Sequence, residues 1–117
     1  MPTKKTLTLS TNKEIRAYYR SNNILYFESR LPENVIVRFG VIGKDKKDAA
    51  VVDSWGDGPD KIVEITVDRR LRGMGCVVAW HIIHEQVHLE NPRLLHGPGF
   101  DKRMLGLAQA GIFNGIW

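Results

Sequence analysis

Apolar residues recur at helical spacing near the start of the chain, at Ile15, Tyr18 and Tyr19, behind Thr11 and Asn12, either of which can cap a first turn. The spacing predicts a helix over about 12–21, interrupted by Ser21, Asn22 and Asn23. Leu31, Pro32, Glu33 and Asn34 read as a turn, and the β-branched run that follows at 35–39 reads as a strand. Residues 40–48, with two glycines and three lysines, read as a hairpin loop leading to a second strand at 49–55. Residues 56–60 read as a turn before a third strand at 61–67, where Ile62, Glu64 and Thr66 alternate with Val63, Ile65 and Val67. The period then changes. Val77, Val78, Trp80, Ile82, Ile83, Val87 and Leu89 cover most of the circumference of a helix over about 74–90, as expected of a buried element, with Gln86 as its surface residue. Pro92 disfavours helical geometry at Asn91, so 91–95 should leave the helix. A last helix over about 99–111 turns Phe100, Met104, Leu107 and Ala108 toward the core, where Trp55, Trp80, Tyr18 and Tyr19 are also assigned. The sum is an α+β fold: an N-terminal helix, a small three-stranded sheet and two further helices.

A chain of 117 residues suits one domain, here 1–117, able to bury about two thirds of its unfolded surface. A composition 43% hydrophobic and 26% charged is that of a globular protein. The single cysteine, Cys76, excludes an internal disulfide and any Cys-x-x-Cys zinc ribbon; among Gly75, Val77 and Val78 it reads as a small buried side chain. The first ten residues lack the apolar core of a signal peptide, and no apolar run approaches the ~20 residues of a membrane span. A soluble, cytoplasmic protein is therefore expected, with no membrane partner and with its oligomeric state open. The net charge of +4 is spread over Lys4 and Lys5, residues 44–47, residues 69–72, and Lys102 with Arg103. These basic clusters form a DNA contact only if they share one face, and are otherwise solvated surface.

Three of the four histidines lie close together: His84 and His88 in the run His-Glu-Gln-Val-His, and His96 in His-Gly-Pro-Gly-Phe. On one helix, positions 84 and 88 project from the same face a turn apart, a two-nitrogen grip on a metal. His96 arrives where the chain returns past Pro92, with Gly97 and Gly99 permitting a close approach. Catalytic zinc takes three protein ligands and keeps one position open, so His84, His88 and His96 with a water complete a one-ion Zn2+ site. Glu85, offset by roughly 100° from His84, is placed to act on that water without ligating the metal. The chemistry indicated is amide hydrolysis, with Glu85 taking the water's proton and passing it to the leaving amine. His81 shares the metal-facing stripe at a spacing that would strain a tetrahedral centre, so it reads as a cleft-lining neighbour or a hydrogen-bonded core histidine. An oxyanion donor is also expected; Arg103, His81 and a tyrosine are candidates, and the sequence assigns the role to none of them. Asp53, Asp57 and Asp60 lack calcium-loop spacing. A zinc-stabilised DNA- or protein-binding module without turnover is the non-enzymatic alternative; a ribonuclease is disfavoured by Glu85 and the longer interval to His96.

These residues resemble the SprT-like zinc metallopeptidases, a group that includes the Spartan proteases acting on DNA–protein crosslinks. The resemblance rests on Tyr26 and Phe27 with Leu31 and Pro32, on the strands that follow, on HExxH at 84–88 and on HGxxF at His96 to Phe100. It implies a minimal zincin-like fold, with His84, His88 and His96 as ligands, Glu85 as the catalytic residue and Phe100 as the aromatic that packs the third histidine into place. It also implies protein substrates, including proteins associated with nucleic acid. The sequence shows none of the four-cysteine ribbon that many members carry, which suggests a small form of a phage or mobile-element type, or one directed to its substrate by a partner.

Overall fold

The structure, a computed structural model, describes residues 8–42, 49–56, 61–92 and 96–113. In chain order its elements are α1 (Asn12–Tyr26), β1 (Val35–Gly40), β2 (Ala50–Trp55), β3 (Ile62–Asp68), α2 (Gly75–Glu90) and α3 (Pro98–Ala110), with a short 3-10 turn (Arg69–Leu71) between β3 and α2. This is the α+β layout expected from the periodicities.

Helix α1 opens on a reciprocal cap: Thr11 Oγ1 accepts from the Glu14 amide and Glu14 Oε1 accepts from the Thr11 amide, each at 3.1 Å. The helix does not stop at residue 21 but runs to Tyr26. Asparagine disfavours helix interiors because its amide competes for nearby backbone groups. Here both asparagines are buried and engaged elsewhere. Asn22 Nδ2 donates to Gln86 Oε1 at 3.1 Å, and Asn23 pairs with both main-chain groups of Leu31 at 3.0 Å. The second pairing also fixes the chain reversal after the helix, which Tyr19 pins again by donating its hydroxyl to the Pro32 carbonyl at 2.7 Å.

The sheet order is β1-β3-β2, with β1 parallel to β3 (Val35 opposite Val63) and β2 antiparallel to it (Ala50 opposite Val67). The hairpin expected at 40–48 is therefore corrected: the strands it joins lie on opposite edges of the sheet, and residues 43–48 themselves fall outside the described residues. Composition explains the order. β3 is buried from Val63 to Asp68 apart from a half-buried Glu64, as a central strand must be, whereas β1 alternates buried with exposed, as an edge strand covered on one face does. β2 and β3 are neighbours, as the turn reading of 56–60 requires, although residues 57–60 are also outside the described set.

Ile15 and Tyr19 from α1, Phe27 just after it, Val35, Val37, Phe39, Val63, Ile65 and Val67 from the sheet, Val78, Ala79, Ile82, Ile83 and Val87 from α2, and Phe100 and Leu107 from α3 form one core. Each large aliphatic side chain buried there stabilises the fold by about 1.5–3 kcal/mol. Five sequence assignments change. Gln86 is not on the surface but wholly buried, donating through Nε2 to the Tyr19 carbonyl at 3.0 Å while accepting from Asn22, so it ties α2 to α1. Trp55 and Trp80 are exposed rather than core, at 46% and 39%. Ala108 faces solvent, with Leu107 turned inward. Cys76 is half-buried. α3 ends at Gly111, whose φ of 101° is the left-handed conformation that lets its amide and that of Ile112 close on Ala108 and Leu107.

Part of the basic surface is already engaged. Arg70 forks onto Asp68, down to 2.7 Å, and holds that carboxyl below its usual range, while Arg72 lies over the Phe39 ring. Arg103 binds both oxygens of Glu90 at 2.8 Å, and Arg30 shares that carboxylate. Lys4, Lys5 and residues 44–47 lie outside the described residues. No helix among the described residues is long and apolar enough to cross a membrane.

Candidate metal centre

Helix α2 carries His84 and His88 one turn apart, and the chain returns after Pro92 to place His96 just ahead of α3. The three Nε2 atoms form a near-equilateral triangle: 3.1 Å from His84 to His88, 2.9 Å from His88 to His96 and 3.1 Å from His96 to His84. Beneath it lies the buried ring of Phe100, with its centroid 4.8 Å from those of His84 and His88 and 5.0 Å from that of His96. One aromatic thus supports all three imidazoles, wider than a role toward His96 alone. Gly97, by contrast, is not required by crowding: its backbone is extended, and a Cβ built there meets nothing within 4 Å.

The donor set fits a single cation. Each neutral imidazole nitrogen is either a donor or an acceptor, so among three of them about 3 Å apart at least two of the same kind face one another, whereas one cation satisfies three bare nitrogens at once. Protonation is a poor substitute in this setting. Burial, then the neighbouring His88, His96 and His81, push His84 down to about 4, and burial with His96 lowers His88. The group is the one cluster among the described residues with ligand atoms close enough to hold a metal ion, and the identity of that ion is not fixed by the geometry.

His84 departs from the usual metal-site pattern. Its Nδ1 is buried with no hydrogen-bond partner, where a ligating histidine ordinarily donates that proton to a carboxylate or carbonyl. Rings hold it instead: the Trp80 indole stacks on it at 4.9 Å and 29°, and Phe100 packs at its other contact. Sequence reasoning placed Trp80 in the core. The available signal was its position four residues before His84, which puts both rings on one face of α2.

Glu85 is buried at 8% and lines a cleft of about 350 Å³ with His88, Leu89 and Pro92, and with Val52, Ser54, Lys61 and Val63 from the β2–β3 side. β2 is an edge strand, so this cleft lies between the metal helix and a sheet edge. The contributions of Val52, Ser54 and Lys61 come from tertiary packing and had no signal in the local pattern. His81 is not in the nitrogen cluster. It stands edge-on to Trp80 at 5.0 Å and shares an apolar pocket of about 270 Å³ with Cys76, Val77 and Trp80, where burial lowers its proton affinity. Arg103, tied to Glu90 and to the Tyr26 carbonyl and lying over Phe27, is held by structural partners.

Comparison of the chain with protein-family models, with curated proteins and with solved structures found no match in any of the three. The site is accordingly read from its own chemistry.

Proposed function

We propose that the chain is a zinc-dependent metallopeptidase of the SprT-like kind, hydrolysing peptide bonds in proteins, with proteins bound to nucleic acid the first substrates to test. The observation that carries this reading is the convergence of the His84, His88 and His96 Nε2 atoms beside a buried glutamate at the edge strand β2. Three uncharged nitrogen donors, with no thiolate among them, are the ligand type of catalytic zinc. Zinc held by them supplies Lewis acidity, polarising a carbonyl and making a water acidic near neutral pH.

The protein's own residues supply the rest. Glu85, partly desolvated and one position from His84 on the same helix, takes the proton from the attacking water and returns it to the departing amine nitrogen, so that the C–N bond breaks without a free amide anion. An extended substrate can pair with the edge of β2 that no other strand takes among the described residues, along the cleft, which holds the scissile bond over Glu85 and aligns it for attack. Trp80 and Phe100 keep the His84 ring in place.

Glu85→Gln tests the assignment. Zinc-loaded wild-type protein should cleave casein or histones, and the variant should bind zinc with unchanged affinity while losing turnover. Equal cleavage by the two proteins would remove Glu85 from the mechanism. Zinc binding without cleavage by the wild type would favour the alternative, a zinc-stabilised binding module.

A further inference from the structure

A second groove, of about 810 Å³, lies away from the metal cleft, between α1 and the edge of β1 that pairs with no other strand among the described residues. Its walls are Asn12, Lys13, Arg16, Ala17 and Arg20 from the helix and residues 34–38 from the strand. Every charged side chain lining it is basic. Among the described residues, Lys13, Arg16 and Arg20 form no ion pair and are exposed, while Arg38 on the strand is paired with Glu64. The three helical cations sit at consecutive turns of one face of α1, which the local sequence pattern shows only when the opposite wall is known.

The strand wall adds a second kind of recognition. The Phe39 amide donates to Asn12 Oδ1 at 2.9 Å, so at Phe39 the main chain faces away from β3 and toward the helix. Because main-chain groups alternate sides along a strand, those of Val37 and Val35 face the same way and open into the groove. Residues from both faces of β1, Ile36 as well as Val37, line it, so the groove straddles the strand's edge.

We infer that this groove binds an extended acidic peptide segment, which adds to the sheet beside β1 and sets alternate Asp or Glu side chains against Lys13, Arg16 and Arg20. Alternate residues of an extended chain are about 6.6–6.8 Å apart, close to the about 6 Å of helical rise between Arg16 and Arg20, while Lys13, about 4.5 Å of rise from Arg16, makes up the difference through its flexible side chain. Side chains of the other parity lie by the exposed Ile36. A nucleic-acid strand fits less well, since no aromatic ring lines the groove to stack a base and a phosphodiester chain has no alternating amides to pair with Val35 and Val37. The site is independent of the peptidase reading, because it lies on the β1 edge and the metal cleft on the β2 edge.

The probe is a blocked, fluorescein-labelled octapeptide alternating glutamate with threonine, followed by anisotropy, with its glutamine counterpart and an oligo-dT of equal charge as controls. The peptide should bind, weaken with added salt, weaken at least tenfold against Arg16→Glu/Arg20→Glu, and slow amide exchange at Val35 and Val37; the glutamine peptide should not bind. Both arginines are exposed, and an unchanged melting temperature shows that the variant is folded. Glu85→Gln should leave peptide affinity unchanged. Oligo-dT binding in preference to the peptide, peptide binding with unaltered exchange at Val35 and Val37, or no binding at all would each overturn the inference.

Discussion

Replacing Gln86 by leucine should destabilise the fold without touching the metal. Two hydrogen bonds are lost, but their costs differ. The Tyr19 carbonyl lies inside α1 and retains its helical partner, so it loses little. The Asn22 side-chain amide is left buried with no acceptor, which costs about 1–3 kcal/mol. Leucine is close to glutamine in size, so no large cavity opens, and its apolar body recovers part of the loss. The expected net change is about 1–2 kcal/mol, seen as a fall of roughly 3–10 °C in Tm for a domain of this size. Asn22→Leu should cost a similar amount for the converse reason, since it orphans Gln86. The double variant removes both buried amides together and should be more stable than the sum of the singles predicts, by about 1–2 kcal/mol. Urea denaturation followed by circular dichroism measures all four proteins, and zinc titration of the folded variants should show affinity within threefold of wild type, because residue 86 projects roughly opposite His84 on α2. Strict additivity across the cycle would refute the pairing.

Trp80→Leu should weaken zinc binding by about 3–10-fold, the loss of one ring stack of about 0.5–1.5 kcal/mol on a histidine whose Nδ1 has no hydrogen-bonded partner, read by competition with a chromophoric chelator. Metal-stripped protein should lose stability as pH falls from about 6.5 to about 4. His84 binds its proton in the unfolded chain throughout that window but resists it when folded, so stability rises with pH there; a Tm profile that His84→Phe does not flatten would count against this. Arg103→Met should lower Tm while leaving peptide turnover within threefold, since the guanidinium serves Glu90 and Tyr26; a selective fall in kcat would instead give it a place at the reaction. Thr11→Ala should cost about 1 kcal/mol in denaturant melts by opening the cap of α1.

The elements themselves were legible because their periods are strong: the alternation of 61–67, the all-round apolar pattern of α2 and the triple-histidine spacing each have one physical reading. What failed to show locally depended on partners distant in sequence. Asn22 and Asn23 look like helix breakers until Gln86 and Leu31 are beside them, and Gln86 looks like surface until α1 covers it. Trp55 and Trp80 looked like core because their area is large, yet both are exposed, Trp80 with one face laid on a histidine. Strand order was hidden for the same reason. A lysine- and glycine-rich connection implies a turn, but not which neighbour each strand will choose. The histidine triangle was nearly complete in the sequence, whereas its floor under all three rings and its β2 wall emerged only from packing.

The parallel pairing of β1 with β3 bears on how the chain reaches this state. Trp55 meets Ile62 only seven positions along the chain, so β2 and β3 can zip together early, at little loss of chain entropy. Val35 meets Val63 only after everything between them has been spanned, which makes the docking of β1 a late, slow event. Until that moment the inner edge of β3 is bare, and a second unfinished molecule can occupy it in place of β1. The strand that completes the sheet is thus also the one that protects the newly made protein from aggregating, and dilute refolding or a transient chaperone should matter most before it arrives.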